Sequence, residues 1–259
     1  MIRKITPPIL IGAGTLVLAL WAGLVTAQWD DGGSSDELDQ PSAEFSFARV
    51  MYYSTGRQGY GRSWRTDWPD AEYHFSRGIE RLTRIDVDTD GKVLRLTDDA
   101  LFDYPWIYAV EVGSWTLTNA EILRLREYLN RGGFLMVDDF HGTEEWAGFI
   151  YFMRQVFPNR PIVELEDSHE VLHVLYDLDQ RIQIPGRHIV GSGRTWERDG
   201  ITPHWRGIYD DQGRLMVAIN FNMDMGDAWE HADDPWYPEP MTGLAYRFGI
   251  NYIIYAMTH

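Results

Sequence analysis

The feature of this sequence most able to do chemistry is a strand end that carries polar side chains. Asp138, Asp139 and His141 directly follow an apolar run at residues 134–137, and a helix is predicted after them. In an open α/β sheet, ligands bind in the crevice outside the carboxyl ends of parallel strands. The pattern therefore predicts a site, beside a helix N-terminus that favours an anion or a polarised oxygen. The structural alternative is that one aspartate caps the following turn and His141 packs against it.

A second acidic segment follows another predicted strand, at residues 214–223. Asp224 and Asp227 lead a run that continues with Glu230, His231 and two more aspartates, so hard oxygen ligands for calcium or magnesium are concentrated there. The spacing does not match an EF-hand loop, and a solvated acidic loop is the simpler interpretation. We take Asp224 and Asp227 as ligand-binding candidates together with Asp138, Asp139 and His141.

An HExxH pattern is formed by His169, Glu170 and His173. On a helix, two histidines at this spacing bind zinc while the glutamate activates water. Tyr176 stands where the longer zincin motif has a turn-forming glycine, so a chance match is the alternative. Because carboxylates and histidines are concentrated in these three segments, a divalent metal is the candidate cofactor. The candidate metal ligands are Asp139, His141, His169 and Asp224.

Composition restricts the classes of partner and cofactor. The chain has 259 residues, with 23 Lys and Arg against 39 Asp and Glu, a formal net charge of −16. Such a surface repels phosphate backbones, so no nucleic-acid partner is expected. There is no cysteine, which excludes disulfides, thiolate zinc sites and cysteine nucleophiles. A lone GxG at residues 191–193 lacks the preceding strand and following helix of a phosphate cradle, so no nucleotide cofactor is expected.

The N-terminus reads as an export signal. Arg3 and Lys4 precede an uncharged run at residues 9–27 that ends in small residues, which is typical of a signal peptide over residues 1–27. The alternative is an uncleaved membrane anchor formed by residues 9–27. Residues 28–44 are acidic and rich in Gly and Ser, as in a flexible tether. We expect an exported protein, periplasmic or extracellular, with a single α/β domain over residues 45–259.

The periodicity within this domain alternates between strand and helix. Strands are predicted at residues 45–53, 93–96 and 106–112, with a turn at residues 88–91, and the first helix spans residues 69–84 with an apolar stripe of Phe75, Ile79 and Leu82. Such alternation predicts a parallel sheet covered on both faces by helices.

The best-marked helix begins with a capping box formed by Thr118 and Glu121 and ends at Gly132. Another helix is expected to begin with Thr143 as its cap. Residues 207–223 read as an antiparallel hairpin, and residues 245–257 as a closing helix. The predicted fold class is therefore α/β, with three layers, a mainly parallel sheet and a C-terminal hairpin.

Four segments of the chain resemble a bacterial family described as domain of unknown function 4159. They are residues 47–53, 104–108, 129–139 and 251–256. The resemblance covers about residues 45–258 and implies a flavodoxin-like fold related to class I glutamine amidotransferases and to trehalose-utilisation proteins. Amidotransferases present a cysteine at the elbow where this chain has Asp139-Phe140-His141, so no glutaminase activity is expected. The resemblance also implies that Glu170 completes HExxH by accident.

Three hypotheses on function follow. In the first, the elbow at residues 138–142 binds a small polar or carbohydrate-like ligand, or an envelope protein. In the second, Asp139, His141, His169 and Asp224 hold a metal that activates water for hydrolysis. In the third, the elbow is a structural relic. Contact with a membrane is expected only through the N-terminal segment, if it is not cleaved.

Overall fold

The computed structural model describes residues 43–54 and 63–259. The predicted signal peptide or anchor lies outside the described residues, as does the predicted tether except for its last two residues. Within the described ranges, no helix combines the length and the apolar character that crossing a membrane requires.

The described residues contain strands and helices in alternation. The strands are β1 (Phe45–Met51), β2 (Tyr53–Ser54), β3 (Val87–Arg95), β4 (Trp106–Val110), β5 (Trp115–Thr116), β6 (Phe134–Asp138), β7 (Val163–Glu164), β8 (His204–Tyr209) and β9 (Leu215–Phe221). The α-helices are α1 (Asp70–Leu82), α2 (Asn119–Asn130), α3 (Gly142–Val156), α4 (Met225–Glu230) and α5 (Glu239–Thr258).

Seven of these strands form one central sheet in the order β3-β1-β4-β6-β9-β8-β7. The first five are parallel, and β8 and β7 extend one edge in antiparallel pairing. This confirms the predicted mostly parallel sheet and the hairpin formed by β8 and β9. The chain adds β3 on one side of β1 and then crosses to β4 on the other side. The direction of winding therefore reverses between β1 and β4, where a crevice opens at the carboxyl ends of the strands.

Helices cover both faces of the sheet, as predicted for three layers. Along β4, Trp106 and Tyr108 pack in the core formed with α1, α4 and α5, while Ile107 and Ala109 pack in the core formed with α2 and α3. Because successive residues of a strand point to opposite faces, a strand buried on both sides must be apolar throughout. This explains why the central strands read as unbroken apolar runs.

Helix α2 has the predicted ends. The Thr118 side chain accepts a hydrogen bond from the Glu121 backbone N–H, and the Glu121 carboxylate accepts one from the Thr118 backbone N–H. After the helix, Gly132 adopts a positive φ of 112°. The capping box and the glycine stop are therefore both confirmed.

The predicted turn at residues 88–91 is wrong, whereas the strand predicted at residues 93–96 is confirmed over residues 93–95. The structure has one strand, β3, through this segment, and its pairing with β1 shifts between the pairs Ser46–Asp88 and Ala48–Lys92. The turn-forming residues are accommodated as an irregularity of the β3 ladder, because β1 supplies hydrogen-bond partners on both sides of it.

Three helix boundaries also differ from the prediction. Helix α1 ends at Leu82, two residues before the predicted end, and Leu82 is 52% exposed, so it does not continue the apolar stripe. His141, and not Thr143, is the N-cap residue of α3. Helix α5 begins at Glu239, well before the predicted start, directly after Pro238.

Candidate functional site

A cavity of about 360 Å³ opens at the carboxyl ends of the parallel strands, where the winding of the sheet reverses. Within residues 43–54 and 63–259, seven of the eleven residues that line the cavity are acidic, and Arg198 is the one lysine or arginine among them. The acidic residues are Asp67, Glu111, Asp139, Glu145, Glu197, Asp224 and Asp227. His141 and His188 also line the cavity. The predicted location of the site is thus a cavity with strongly negative walls.

The turn after β6 places Asp139 and His141 in this cavity. Asp139 has a φ of 50°, a left-handed conformation that aspartate tolerates better than most residues, and its backbone N–H donates to the Met223 carbonyl at 3.2 Å. The His141 Nε2 atom lies 3.1 Å from the Asp139 Oδ1 atom. Both residues are buried, at 6% and 3% exposure. The elbow therefore presents a carboxylate and an imidazole together.

The N-terminus of α3 is closed to anions, contrary to our expectation. The backbone N–H groups of the N-cap residue and of the first two helical residues each donate to a side-chain oxygen, so these three are not available to a ligand. These bonds are His141 N to Glu145 Oε2 (2.5 Å), Gly142 N to Asn222 Oδ1 (2.8 Å) and Thr143 N to Asp199 Oδ1 (3.0 Å). Side chains of the protein therefore balance the partial positive charge of this helix N-terminus.

Asp138 has a structural position and does not line the cavity. Its Oδ2 atom accepts hydrogen bonds from the backbone N–H groups of Met225, at 2.7 Å, and Gly226, at 3.0 Å, and from the Tyr108 hydroxyl at 3.3 Å. The side chain is fully buried, and this burial raises its pKa to about 7. Asp138 thus joins the end of β6 to the start of α4.

The first group of potential metal ligands consists of Asp139, His141 and Glu197. One ligand atom from each lies within 4.8 Å of the other two. The Glu197 Oε1 atom is 3.9 Å from His141 Nε2 and 3.5 Å from His188 Nε2. Glu197 was not among the predicted site residues, because it lies in a segment without periodicity or motif and only the tertiary fold brings it to the elbow.

The second group consists of Asp67, Asp224 and Asp227, whose ligand atoms also lie within 4.8 Å of one another. Asp224 is the N-cap of α4, and its Oδ1 atom accepts from the Asp227 backbone N–H at 2.7 Å. Asp67, which was likewise not among the predicted site residues, precedes α1 and has a φ of 64°. The structure therefore brings Asp224 and Asp227 to the cavity that contains Asp139 and His141.

Burial and mutual repulsion raise the pKa values of the cavity aspartates. Burial raises the pKa of Asp139 well above its usual range, and the charges of Glu197 and Asp227 raise it further. Burial likewise raises the pKa of Asp224, with Asp139 as the largest neighbouring charge. The pKa of Asp67 is raised by burial and then by Asp227. Protonation of these carboxyl groups or the binding of a cation would relieve this repulsion.

His169 lies away from this cavity. Its ring packs 5.5 Å from the ring of Tyr209, at the end of β8 that pairs with Leu215. Leu215 begins β9, whereas the cavity lies beyond the last residue of that strand. A strand of seven residues is roughly 20 Å long, so His169 and the cavity lie near opposite ends of β9. The structure therefore does not bring His169 together with Asp139, His141 or Asp224.

The HExxH segment does not have the geometry of a zinc site. Only Glu170–Leu172 is helical, as a single 3₁₀ turn. The His169 Nδ1 atom accepts from the Val171 backbone N–H at 3.1 Å, and the His173 ring bonds Asp177 and the Asp167 carbonyl. The two imidazoles serve separate local contacts, so the zincin interpretation is wrong.

Comparison with known proteins adds one finding. Residues 46–257 match the family described as "Domain of unknown function (DUF4159)". No curated protein matches the chain. The match covers the strands and helices that build the cavity, so the site belongs to the part of the chain that defines the family.

Proposed function

The chain belongs to the family described as "Domain of unknown function (DUF4159)". We propose that in this protein the fold of the family holds a divalent-metal centre, which activates water for hydrolysis. One observation carries the proposal: two groups of potential ligands, each compact enough to surround one cation, border the same acidic cavity. The cavity also lies at the switch point of a parallel sheet, which is where α/β proteins bind their ligands.

The ligand chemistry differs between the two groups. Asp139, His141 and Glu197 combine an imidazole with carboxylates, a set that suits zinc, iron or manganese. The other group offers only carboxylates, which magnesium, calcium and manganese prefer. Bonds from a ligand to a metal are ~2.0–2.6 Å long, so ligands around one ion lie up to ~5 Å apart. The separations of 4.8 Å or less within each group fit this requirement.

The cavity is suited to cations because the backbone N–H groups described at its two helix N-termini already have partners. The N–H groups at the start of α3 are bonded to side chains, and at the start of α4 Asp138 and Asp224 take the first N–H groups. Carboxylates are therefore the main groups that the cavity presents to a ligand. Bringing like charges together in a buried space costs free energy, and a divalent cation removes that cost.

A bound metal would supply a water of lowered pKa and a positive charge to polarise the substrate. The protein would provide the remaining parts of the reaction. The Glu197 Oε1 atom is buried and has no hydrogen-bond partner among the described residues, so a carboxylate acceptor is ready near the elbow. His188 lies 3.5 Å from that atom and is 65% exposed, so it can exchange protons between Glu197 and solvent. We assign Asp139 and His141 as the metal ligands from the first group, Glu197 as general base and His188 as proton relay.

A second proposal is that the cavity binds a small polar ligand without metal or catalysis. Its support is the raised pKa of Asp139 and Asp224, because a protonated carboxyl donates hydrogen bonds as well as accepting them. A polyol would match such a mixture of donors and acceptors. The cavity lining has no Phe, Tyr or Trp side chain among the described residues, so a sugar ring would lack a large stacking surface. An envelope protein is the other partner that we propose on the basis of export.

The strand order and the N-terminal sequence support two further parts of the proposal. The five parallel strands follow the order 2-1-3-4-5 when counted along the chain, which is the flavodoxin-like order. The N-terminal sequence supports export to the periplasm or the cell exterior, with residues 9–27 as signal or anchor.

Metal analysis of residues 28–259 tests the proposal. We expect stoichiometric divalent metal in the wild type, and loss of metal and of metal-dependent hydrolysis of p-nitrophenyl esters or phosphates in Asp139→Asn and His141→Ala. The matched control is His173→Ala, which removes an imidazole far from the cavity and should retain the metal. A wild-type protein that neither contains metal nor binds added Zn²⁺ or Mn²⁺ would rule out the metal centre and favour metal-free binding.

A further inference from the structure

Arg49 is fully buried in the sheet, close to the cavity but not lining it. It lies on β1 and pairs with Tyr108 of β4, so it occupies the place where the winding of the sheet reverses. Its guanidinium carbon is 5.1 Å from the centre of the Tyr108 ring. Burying a positive charge at such a depth costs free energy, which the ion pair and hydrogen bonds of Arg49 must offset.

These contacts join two parts of the chain to β1. The Arg49 Nε atom forms an ion pair with Glu72 of α1. The Arg49 Nη1 atom donates to two backbone carbonyls, that of Trp64 at 3.1 Å and that of Thr66 at 2.8 Å. Arg49 thus binds the short segment 64–66, which leads directly into Asp67.

The position of Asp67 depends on this segment. Asp67 has a left-handed backbone, with a φ of 64°, which residues other than glycine rarely adopt. Its Oδ2 atom is buried, has no hydrogen-bond partner among the described residues, and lies 2.1 Å from where a Cβ atom on Gly226 would stand. An aspartate in so tight a space needs a fixed backbone to keep its carboxylate on the cavity.

We propose that Arg49 is a positioning residue for the metal centre. By holding the carbonyls of Trp64 and Thr66, it places the Asp67 carboxylate beside Asp224 and Asp227. This inference rests on the proposed metal-binding function, and it adds a residue that touches neither cation nor substrate. Such outer-shell partners typically change metal affinity ~10–100-fold when they are replaced.

The competing explanation is that Arg49 only fastens α1 to β1 through Glu72. The two explanations differ in whether the effect of Arg49 on metal binding passes through Asp67. A double-mutant cycle measures this directly, because residues that act through one another give non-additive effects.

The experiment measures Mn²⁺ affinity, from the electron paramagnetic resonance signal of free Mn²⁺, in wild type, Arg49→Lys, Asp67→Asn and the double variant. Lysine keeps the positive charge but cannot bind both carbonyls in the same geometry. We expect Arg49→Lys to weaken Mn²⁺ binding about tenfold. In the Asp67→Asn background, the same substitution should change the remaining affinity less than about twofold.

An equal effect of Arg49→Lys in both backgrounds, or no effect in either, would overturn the inference. If Arg49→Lys does not fold, the pair Arg49→Gln with Glu72→Gln replaces it in the cycle, because removing both charges leaves no unpaired buried ion. The same non-additivity is then expected. Absence of Mn²⁺ binding in the wild type would instead refute the proposed function itself, and the two failures are therefore distinguishable.

Discussion

The buried carboxyl of Asp138 makes a quantitative prediction about stability and pH. Burial raises its pKa to about 7 from an ordinary value of 3.8. The folded protein therefore keeps a proton at Asp138 that the unfolded chain releases above about pH 4. Because the folded-state pKa is the higher one, the stability that this proton contributes is complete below pH 4 and is lost as the pH rises through 7.

The size of the effect follows from the two pKa values. At ~1.36 kcal/mol per pH unit, a rise from 3.8 to about 7 corresponds to about 4 kcal/mol over the whole range. Most of it falls in an accessible window: between pH 5 and pH 7.5 the free energy of unfolding should decrease by about 2.5 kcal/mol through this group alone. Asp138→Asn keeps the shape and an acceptor for the Met225 and Gly226 N–H groups but does not titrate.

Urea unfolding of wild type and Asp138→Asn, from pH 5 to pH 7.5 with a chelator present, measures this difference. We expect the stability of the wild type to fall relative to the variant by about 2.5 kcal/mol across the window. Asp210→Asn is the control. Burial raises the pKa of Asp210, but hydrogen bonds and the charge of Arg214 outweigh it, so the pKa is lowered. The stability that Asp210 contributes is therefore constant from pH 5 to pH 7.5 and changes only below pH 4. Parallel curves for wild type and Asp138→Asn would refute the reasoning.

Three further predictions follow from the same structure. Because burial raises the pKa of Asp139, metal binding should release protons; calorimetric titration with Mn²⁺ in two buffers of different ionisation enthalpy should give different heats, and identical heats would contradict this. Gly226→Ala, whose Cβ would stand 2.1 Å from Asp67 Oδ2, should weaken Mn²⁺ binding at least ~10-fold, whereas Gly243→Ala, with its nearest atom 3.7 Å away, should leave it unchanged. Thr118→Ala removes the capping box of α2 and should cost about 1 kcal/mol in urea unfolding, with metal content unaffected.

The sequence predicted the architecture well because local patterns decide it. The unbroken apolar run of β6 and the capping box of α2 are determined by contacts near in sequence or by burial on both faces. The prediction failed at residues 88–91, where turn-forming residues occur inside β3. Pairing with a neighbouring strand outweighed local preference there, and that pairing is not visible from the segment itself.

The candidate site was predicted only in part. The position of Asp139 and His141 follows from a general rule about strand ends, and Asp224 follows from the same rule at β9. Glu197 and Asp67 come from irregular segments, so only tertiary contacts bring them to the cavity. His169 was predicted as a metal ligand, but the structure does not place it at the site. Its segment matches HExxH in sequence, yet it forms a 3₁₀ turn in which the two imidazoles have separate partners.

The cavity draws its carboxylates from widely separated parts of the chain, and this has a mechanical consequence. A cation held by Asp67 and Asp224 would link the segment that precedes α1 to the segment that follows β9, which are far apart in the chain. The chain has no cysteine, so no covalent bridge can restrain its long loops. Metal coordination would restrain these loops instead. Resistance to heat and proteolysis would then rise with the concentration of free cation.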